Sequence, residues 1–301
     1  DLFHRQPLKK ELKEVDYYFS RLSRTKVVLI AGNHDFLKQD SYYRSFQWSS
    51  NVYPLFDKEP ECVIFEDLDV AVTGFSYESR EILTPFDGGI RAEGDAKYEI
   101  LLVHGGDEKH LPIQKSLLEK SGFDYIAMGH IHKPQILIRD QAAFSGALEP
   151  IDRNDTGEHG YMEGRLINGR IRTEFVPFAC RSYQQLVMTL HEETTQISLE
   201  EAVKSQIFRR GGRNIYRIVL QGMRSPDLLL IPEKLKSLGN VTDVVDESWP
   251  AYDLGELYKR YSGTLIGDYI GYFLAKKGMD TVEKKALYYG LQALLETGSR
   301  R

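Results

Sequence analysis

Four short apolar runs, "KVVLIAG", "DVAVTGF", "YEILLVH" and "DYIAMGH" (from Lys26, Asp69, Tyr98 and Asp124), each stop at or beside a glycine or histidine. Runs of this length, rich in Val, Ile and Leu, read as strands buried on both faces. Helical patterns accompany them. Leu8, Leu12, Val15, Phe19 and Leu22 recur in steps of four and three, and Ile113 to Lys120 suits a second helix. Alternation of this kind predicts an α/β layered fold whose functional loops follow the strands.

After His132 the pattern changes. "QILIRDQAAFSG" and "GYMEGRLINGRIRTEFVPF" read as consecutive strands, the latter turning at Asn168-Gly169, a strong hairpin signal. A smaller α+β module then begins near Cys180, with a helix over Leu199–Phe208, a strand "IYRIVLQG" and a helix–strand pair over Leu228–Val245. The tail from Asp253 to Ala275 is amphipathic, and another helix starts at Asp280. Ser41 to Trp48 reads as a short aromatic helix whose Tyr42, Tyr43, Phe46 and Trp48 either pack inside or face a second copy. The chain begins at Asp1 without an initiator methionine and reads as one cut into.

The loops after the strands carry the chemistry. "DLFH", "GNHD", "LLVHGG" and "GHIH" supply Asp1, Asn33, His34, His104, His130 and His132. A carboxylate, an amide oxygen and several imidazoles suit a pair of divalent transition ions, Mn²⁺ or Fe²⁺, with Zn²⁺ also accommodated. Cys62 and Cys180 stand far apart, so a thiolate zinc cage is excluded. In "GNHD", Asn33 coordinates, His34 faces the substrate and Asp35 orients His34. The histidines of "GHIH", at i and i+2, suit a bridged pair of ions that clamps an in-line phosphoryl displacement. His110, His159 and His191 are left as surface or core residues.

Bulk properties bound the partners. A net charge of −5 over 301 residues argues against general coating of nucleic acid, while local basic clusters remain. The clearest is "FRRGGRN", where Arg209, Arg210 and Arg213 flank two glycines and can track phosphates. No apolar run approaches 18 residues, and with two separated cysteines the expected compartment is the cytoplasm.

These blocks, in this order, resemble the calcineurin-like metallophosphoesterase superfamily, whose pattern is D-x-H, G-D-x-x-[DH], G-N-H-[DE], H, G-H-x-H. Within it, "DLFHRQPLKKEL" and "SGALEP…TGEHGYMEGRLI" are similar to segments of the SbcD-type DNA repair nucleases. The resemblance implies a two-sheet sandwich flanked by helices (residues 1–180), a small capping domain (181–250) and a helical tail (251–301). It implies that Asp1 bridges two metal ions, most readily Mn²⁺, with Asn33, His104 and His130 on the second ion and His132 on the first. His34 would stabilise or protonate the leaving oxygen, and His4 would serve the processing of DNA ends. The implied activity is hydrolysis of DNA ends within an SbcCD-like complex, with an SbcC-like coiled-coil ATPase subunit and a homodimer as partners. The rival readings are a small-substrate phosphodiesterase and a non-hydrolytic DNA-end-binding subunit. The D-x-H block is absent, so the first metal site is expected to be weakened, the sheet to lack its first strand, and this chain to be nearly inactive.

Overall fold

The structure, a computed structural model, describes residues 1–298. It is a mixed α/β chain with several sheets and a run of helices at its end, in keeping with the expected α/β class and helical tail. Two compact units form, Asp1–Ser182 and a second from Tyr183 onward. Apart from residues 181 and 182, the regions expected as cap and tail both belong to the second unit.

The first unit opens with helix α1 (Lys9–Ser20). Its first turn is closed by Glu11, whose Oε2 accepts the Leu8 N–H at 2.8 Å while the carboxylate also pairs with Arg5. Strands β1 (Val27–Leu29) and β2 (Val52–Pro54) form a short parallel pair. Six further strands build the main sheet: β3 (Glu61–Phe65), β4 (Val70–Gly74), β5 (Tyr98–His104), β6 (Tyr125–Gly129), β7 (Gln135–Ile138) and β8 (Ala142–Phe144). Their order is β3-β4-β5-β6-β8-β7, parallel from β4 through β5 and β6 to β8 and antiparallel at both margins. Helix α2 (Lys115–Glu119) lies between β5 and β6 in sequence. Strand β5 is central and almost wholly buried, which is why it reads as an unbroken apolar run.

Two apolar clusters hold the loop after β1. Phe36 packs with the main core of Tyr77, Leu101, Val103, Phe123, Ile126 and their neighbours. The next residue, Leu37, enters a smaller cluster with Leu12, Ala31 and Tyr43, joined by Phe3, Phe46, Trp48 and Phe56. Three aromatics of the Ser41–Trp48 segment therefore pack inside, and only Tyr42 is substantially exposed. That segment forms a single 3-10 turn, Tyr42–Arg44, instead of the expected helix.

Strands β9 (Gly160–Ile167) and β10 (Arg170–Pro177) make the expected hairpin. Asn168 and Gly169 both take positive φ, as a primed turn requires. The second unit contains β11 (Tyr183–Leu190), α3 (Gln196–Arg210), β12 (Ile215–Arg224), α4 (Pro232–Lys236), β13 (Val241–Asp246) and β14 (Trp249–Pro250). The ladder β11-β12-β13 is parallel, and β14 pairs with β12. Helices α5 (Leu254–Arg260), α6 (Leu265–Leu274) and α7 (Thr281–Gly298) follow. The amphipathic stretch from Asp253 to Ala275 is thus two helices. Gly263 adopts φ +71° and Thr264 caps α6 through its Oγ1, which ends one helix and starts the next. Among the described residues no helix is long and apolar enough to cross a membrane.

Candidate metal centre

Strands β1, β5 and β6 release the chain at Gly32, Gly105 and His130, and there the polar side chains gather. Gly32 is required by space. A Cβ at this position would collide with the Asp1 carboxylate and come within 2.6 Å of His104 Cε1. The backbone can pass this close to the donors only without a side chain.

The donor atoms of Asp1, His104 and His130 lie within 4.8 Å of one another. His104 Nε2 is 2.8 Å from Asn33 Oδ1 and 3.3 Å from Asp1 Oδ2. His130 Nδ1 is 3.1 Å from the same Asn33 oxygen. Burial pushes the His104 imidazole down to about 2, so this ring is neutral and offers a lone pair. Burial also lowers His130, although Asp107 opposes the shift.

The chemistry of this donor set fits a divalent cation. It combines a carboxylate, an amide oxygen and two neutral imidazoles, with no thiolate. His130 Nε2 lies 2.8 Å from Asp107 Oδ2 and donates there. Its Nδ1 then has no proton to offer the Asn33 oxygen, so two lone-pair atoms face each other across 3.1 Å. A cation shared by the two atoms would satisfy both lone pairs.

The remaining expected site residues occupy distinct positions. His34 donates its backbone N–H to Asp1 Oδ1 at 2.9 Å, and its ring stacks on His4 with centroids 4.3 Å apart. His34 Nδ1 is 3.1 Å from the His4 carbonyl oxygen, an acceptor, so that nitrogen carries the proton. Burial and the His4 ring lower the His34 pKa. His132 belongs to neither close group of three donors found among the described residues, and its Nδ1 contacts Asp155 Oδ2 at 3.1 Å.

Asp35 does not reach the His34 ring. Its carboxylate accepts from Gly32 N–H (2.8 Å), Phe3 N–H (3.1 Å) and Tyr43 O–H (2.8 Å). These bonds satisfy a fully buried carboxylate and hold the loop itself, so Asp35 shapes the backbone that carries Asn33 and His34. Burial and the Asp35 charge together push the Tyr43 phenol well above its usual value. Arg209 and Arg210 end α3, and with Arg213 they are exposed in the second unit.

Four further residues support the centre and carry no obvious mark in the sequence. Tyr77, fully buried, donates its O–H to the His104 carbonyl at 2.9 Å and meets the ring edge-on. Asp107 accepts from His110 Nδ1 at 2.8 Å as well as from His130. Asp155 holds His132. The only available signal was the i, i+3 spacing of Asp107 and His110 straight after "HGG".

Residues 1–134 match the sequence model of the calcineurin-like phosphoesterases, and the mixed α/β fold and the donor set of the first unit are in keeping with that match. Two relatives narrow the comparison. The chain is 30% identical over 221 residues to the uncharacterized metallophosphoesterase YhaO of Bacillus subtilis (strain 168), covering 69% of this chain and 54% of that protein. It is 28% identical over 166 residues to the DNA double-strand break repair protein Mre11 of Methanocaldococcus jannaschii, covering 52% of this chain and 45% of that protein. The chain spans about half the length of these relatives.

Proposed function

We propose that this chain is the nuclease subunit of an SbcCD-like DNA repair complex, hydrolysing phosphodiester bonds at DNA ends with Mn²⁺ as the preferred ion. The carrying observation is the convergence of Asp1, Asn33, His104 and His130 beside the His4–His34 stack. Likeness to a protein named for double-strand break repair supports DNA as the substrate. Exposed Arg209, Arg210 and Arg213 offer phosphate contacts of the kind such a substrate needs. An SbcC-like ATPase subunit, a second copy of the chain and the cytoplasm complete this reading.

In it, Asp1, Asn33, His104 and His130 hold one ion, while Asp1 and His132 serve the other. Divalent cations bound there supply Lewis acidity to the phosphoryl group and make the attacking water more acidic. The protein's own contribution is positional and protonic. Asp35 fixes the loop, and the His4 carbonyl keeps the first His34 proton on Nδ1. Nε2 is then the atom that can take up a second proton and pass it to the leaving oxygen as the phosphorus–oxygen bond breaks, and the lowered pKa makes that cationic ring the minority form at neutral pH. Because burial lowers the His34 pKa, that second proton is held weakly and transferred readily.

The test is Mn²⁺-dependent cleavage of linear duplex and hairpin DNA beside a small aryl phosphodiester. His34→Ala is expected to lower turnover by roughly 10²–10⁴-fold, the range for a lost acid–base group, with Mn²⁺ binding retained. Hydrolysis of the small diester without any DNA cleavage would leave the hydrolase and sink the nuclease.

A further inference from the structure

The two histidines of "GHIH" present opposite ring nitrogens to carboxylates that come from elsewhere in the chain. His130 contacts Asp107 Oδ2 through Nε2 at 2.8 Å. His132 contacts Asp155 Oδ2 through Nδ1 at 3.1 Å. Each carboxylate accepts, so the contacting nitrogen bears the proton and the other keeps its lone pair. His130 is left with Nδ1, the atom 3.1 Å from Asn33 Oδ1, and His132 is left with Nε2.

We propose that Asp107 and Asp155 are positioning residues that lock His130 and His132 in opposite tautomers, so that adjacent imidazoles serve two different metal ions. This rests on the two-ion reading of the site.

Both carboxylates are set by built turns. Asp107 Oδ1 accepts from the backbone N–H of Lys109 (2.8 Å) and His110 (2.9 Å), and His110 Nδ1 closes on the same oxygen at 2.8 Å. The turn is anchored in turn: Gly106 N–H donates to the His110 carbonyl at 2.7 Å, and Leu111 N–H donates to Ile82 at 2.8 Å. Asp107 is thus aimed at His130 although its side chain remains 44% exposed. Asp155 Oδ2 accepts from Ile151 N–H at 3.0 Å, and the Asp155 carbonyl lies 3.1 Å from Nε2 of buried His159. His159 Nδ1 also lies 3.1 Å from the Ala147 carbonyl, tying that turn to the segment after β8. Carboxylates that hold the far nitrogen of a ligating histidine fix its tautomer and raise its basicity, and their loss costs 10–100-fold in metal affinity.

The experiment has two readouts. Long-range ¹H–¹⁵N correlation on the metal-free, histidine-labelled chain, assigned with His130→Gln and His132→Gln, reads each tautomer directly. The expected pattern is Nε2–H for His130 and Nδ1–H for His132; a shared tautomer overturns the proposal without any carboxylate variant. Mn²⁺ titration followed by electron paramagnetic resonance then compares the parent chain with Asp107→Ala, Asp155→Ala and, on the same turn, Lys109→Ala. Asp107→Ala is expected to weaken one class of site 10–100-fold and Asp155→Ala the other, with Lys109→Ala matching the parent. Parent-like binding in both aspartate variants would sink the proposal and leave the metal centre standing. A parent chain that binds no Mn²⁺ would instead sink the two-ion reading beneath it.

Discussion

The two units are built on the same device, a parallel ladder with helices packed on it, and they use their strand ends in opposite ways. In the first unit β5 and β6 stop at His104 and Gly129, and the chain goes on through glycines and histidines whose donors converge. In the second, β12 and β13 stop at Arg224 and Asp246, and these charges spend themselves locally. Arg224 donates to Ser248 Oγ (3.2 Å) and the Leu228 carbonyl, while Asp246 accepts the Ser248 N–H (2.9 Å). Beneath them, Leu199, Val203 and Ile207 of α3 pack on Leu186, Leu190, Ile218 and Leu220. One ladder is therefore a platform for a site, and the other ends in charges that pair locally above its own apolar core. The architecture alone does not make a metal centre; a backbone thin enough to bring donors together does.

The sharpest way to break that comparison is to thicken the backbone at the site. Gly32→Ala places a methyl group where Asp1 and His104 already stand. The variant is expected to lose Mn²⁺ affinity by about 100-fold or more, at or beyond the upper end for lost supporting residues. The second unit, which supplies none of the four donors Asp1, Asn33, His104 and His130, should keep its unfolding midpoint. Calorimetric titration with Mn²⁺ checks the first half, and an affinity within threefold of the parent would show that the close approach at Gly32 is not what the site depends on.

Much of this contrast can be read from residue types alone. The apolar runs before Gly32, His104 and Gly129 mark buried strands, and Asn168-Gly169 marks its hairpin, because each of those signals is local. Asn33, His34, His104 and His130 are legible for the same reason, each lying at the edge of a run. What escapes is whatever depends on partners distant in sequence. Asp155 meets His132 from 23 residues away, and Asp107 meets His130 from the same separation. The aim of Asp35 at Tyr43, and not at His34, follows from burial that no spacing reveals. Strands β2 and β3 are missed because one spans only three residues and the other is mostly exposed. The split between α5 and α6 is missed because an apolar stripe runs across Ser262-Gly263-Thr264, where the glycine and the cap override it.

The next prediction asks whether the second core stands by itself. Each unit holds one of the two tryptophans: Trp48 against Phe46 and Tyr43, and Trp249 against Tyr288 and Tyr289. Trp48→Phe and Trp249→Phe backgrounds therefore give each unit its own fluorescence reporter. Ile218 is fully buried in the second core, and Ile218→Ala is expected to cost about 2–5 kcal/mol through lost transfer energy and the cavity left behind. Urea unfolding should show that loss with Trp249 reporting and little change with Trp48 reporting. Equal losses in both would mean that the two cores unfold as one.

A smaller perturbation sharpens the same contrast at a helix end. Thr195 Oγ1 accepts the Ser198 N–H at 3.1 Å, and Ser198 Oγ returns a bond from the Thr195 N–H at 3.0 Å, closing the first turn of α3. Thr195→Ala removes the Oγ1 acceptor and leaves the Ser198 N–H to water, while the backbone N–H of residue 195 can still donate to Ser198 Oγ. The expected cost is about 1 kcal/mol, seen with the Trp249 reporter, because the cap stabilises only the helix that covers the second ladder. Thr195→Ser should restore most of it, since the hydroxyl is what accepts. A full loss in the serine variant would trace the effect to the threonine methyl group and its packing, and would make this helix end part of the apolar core.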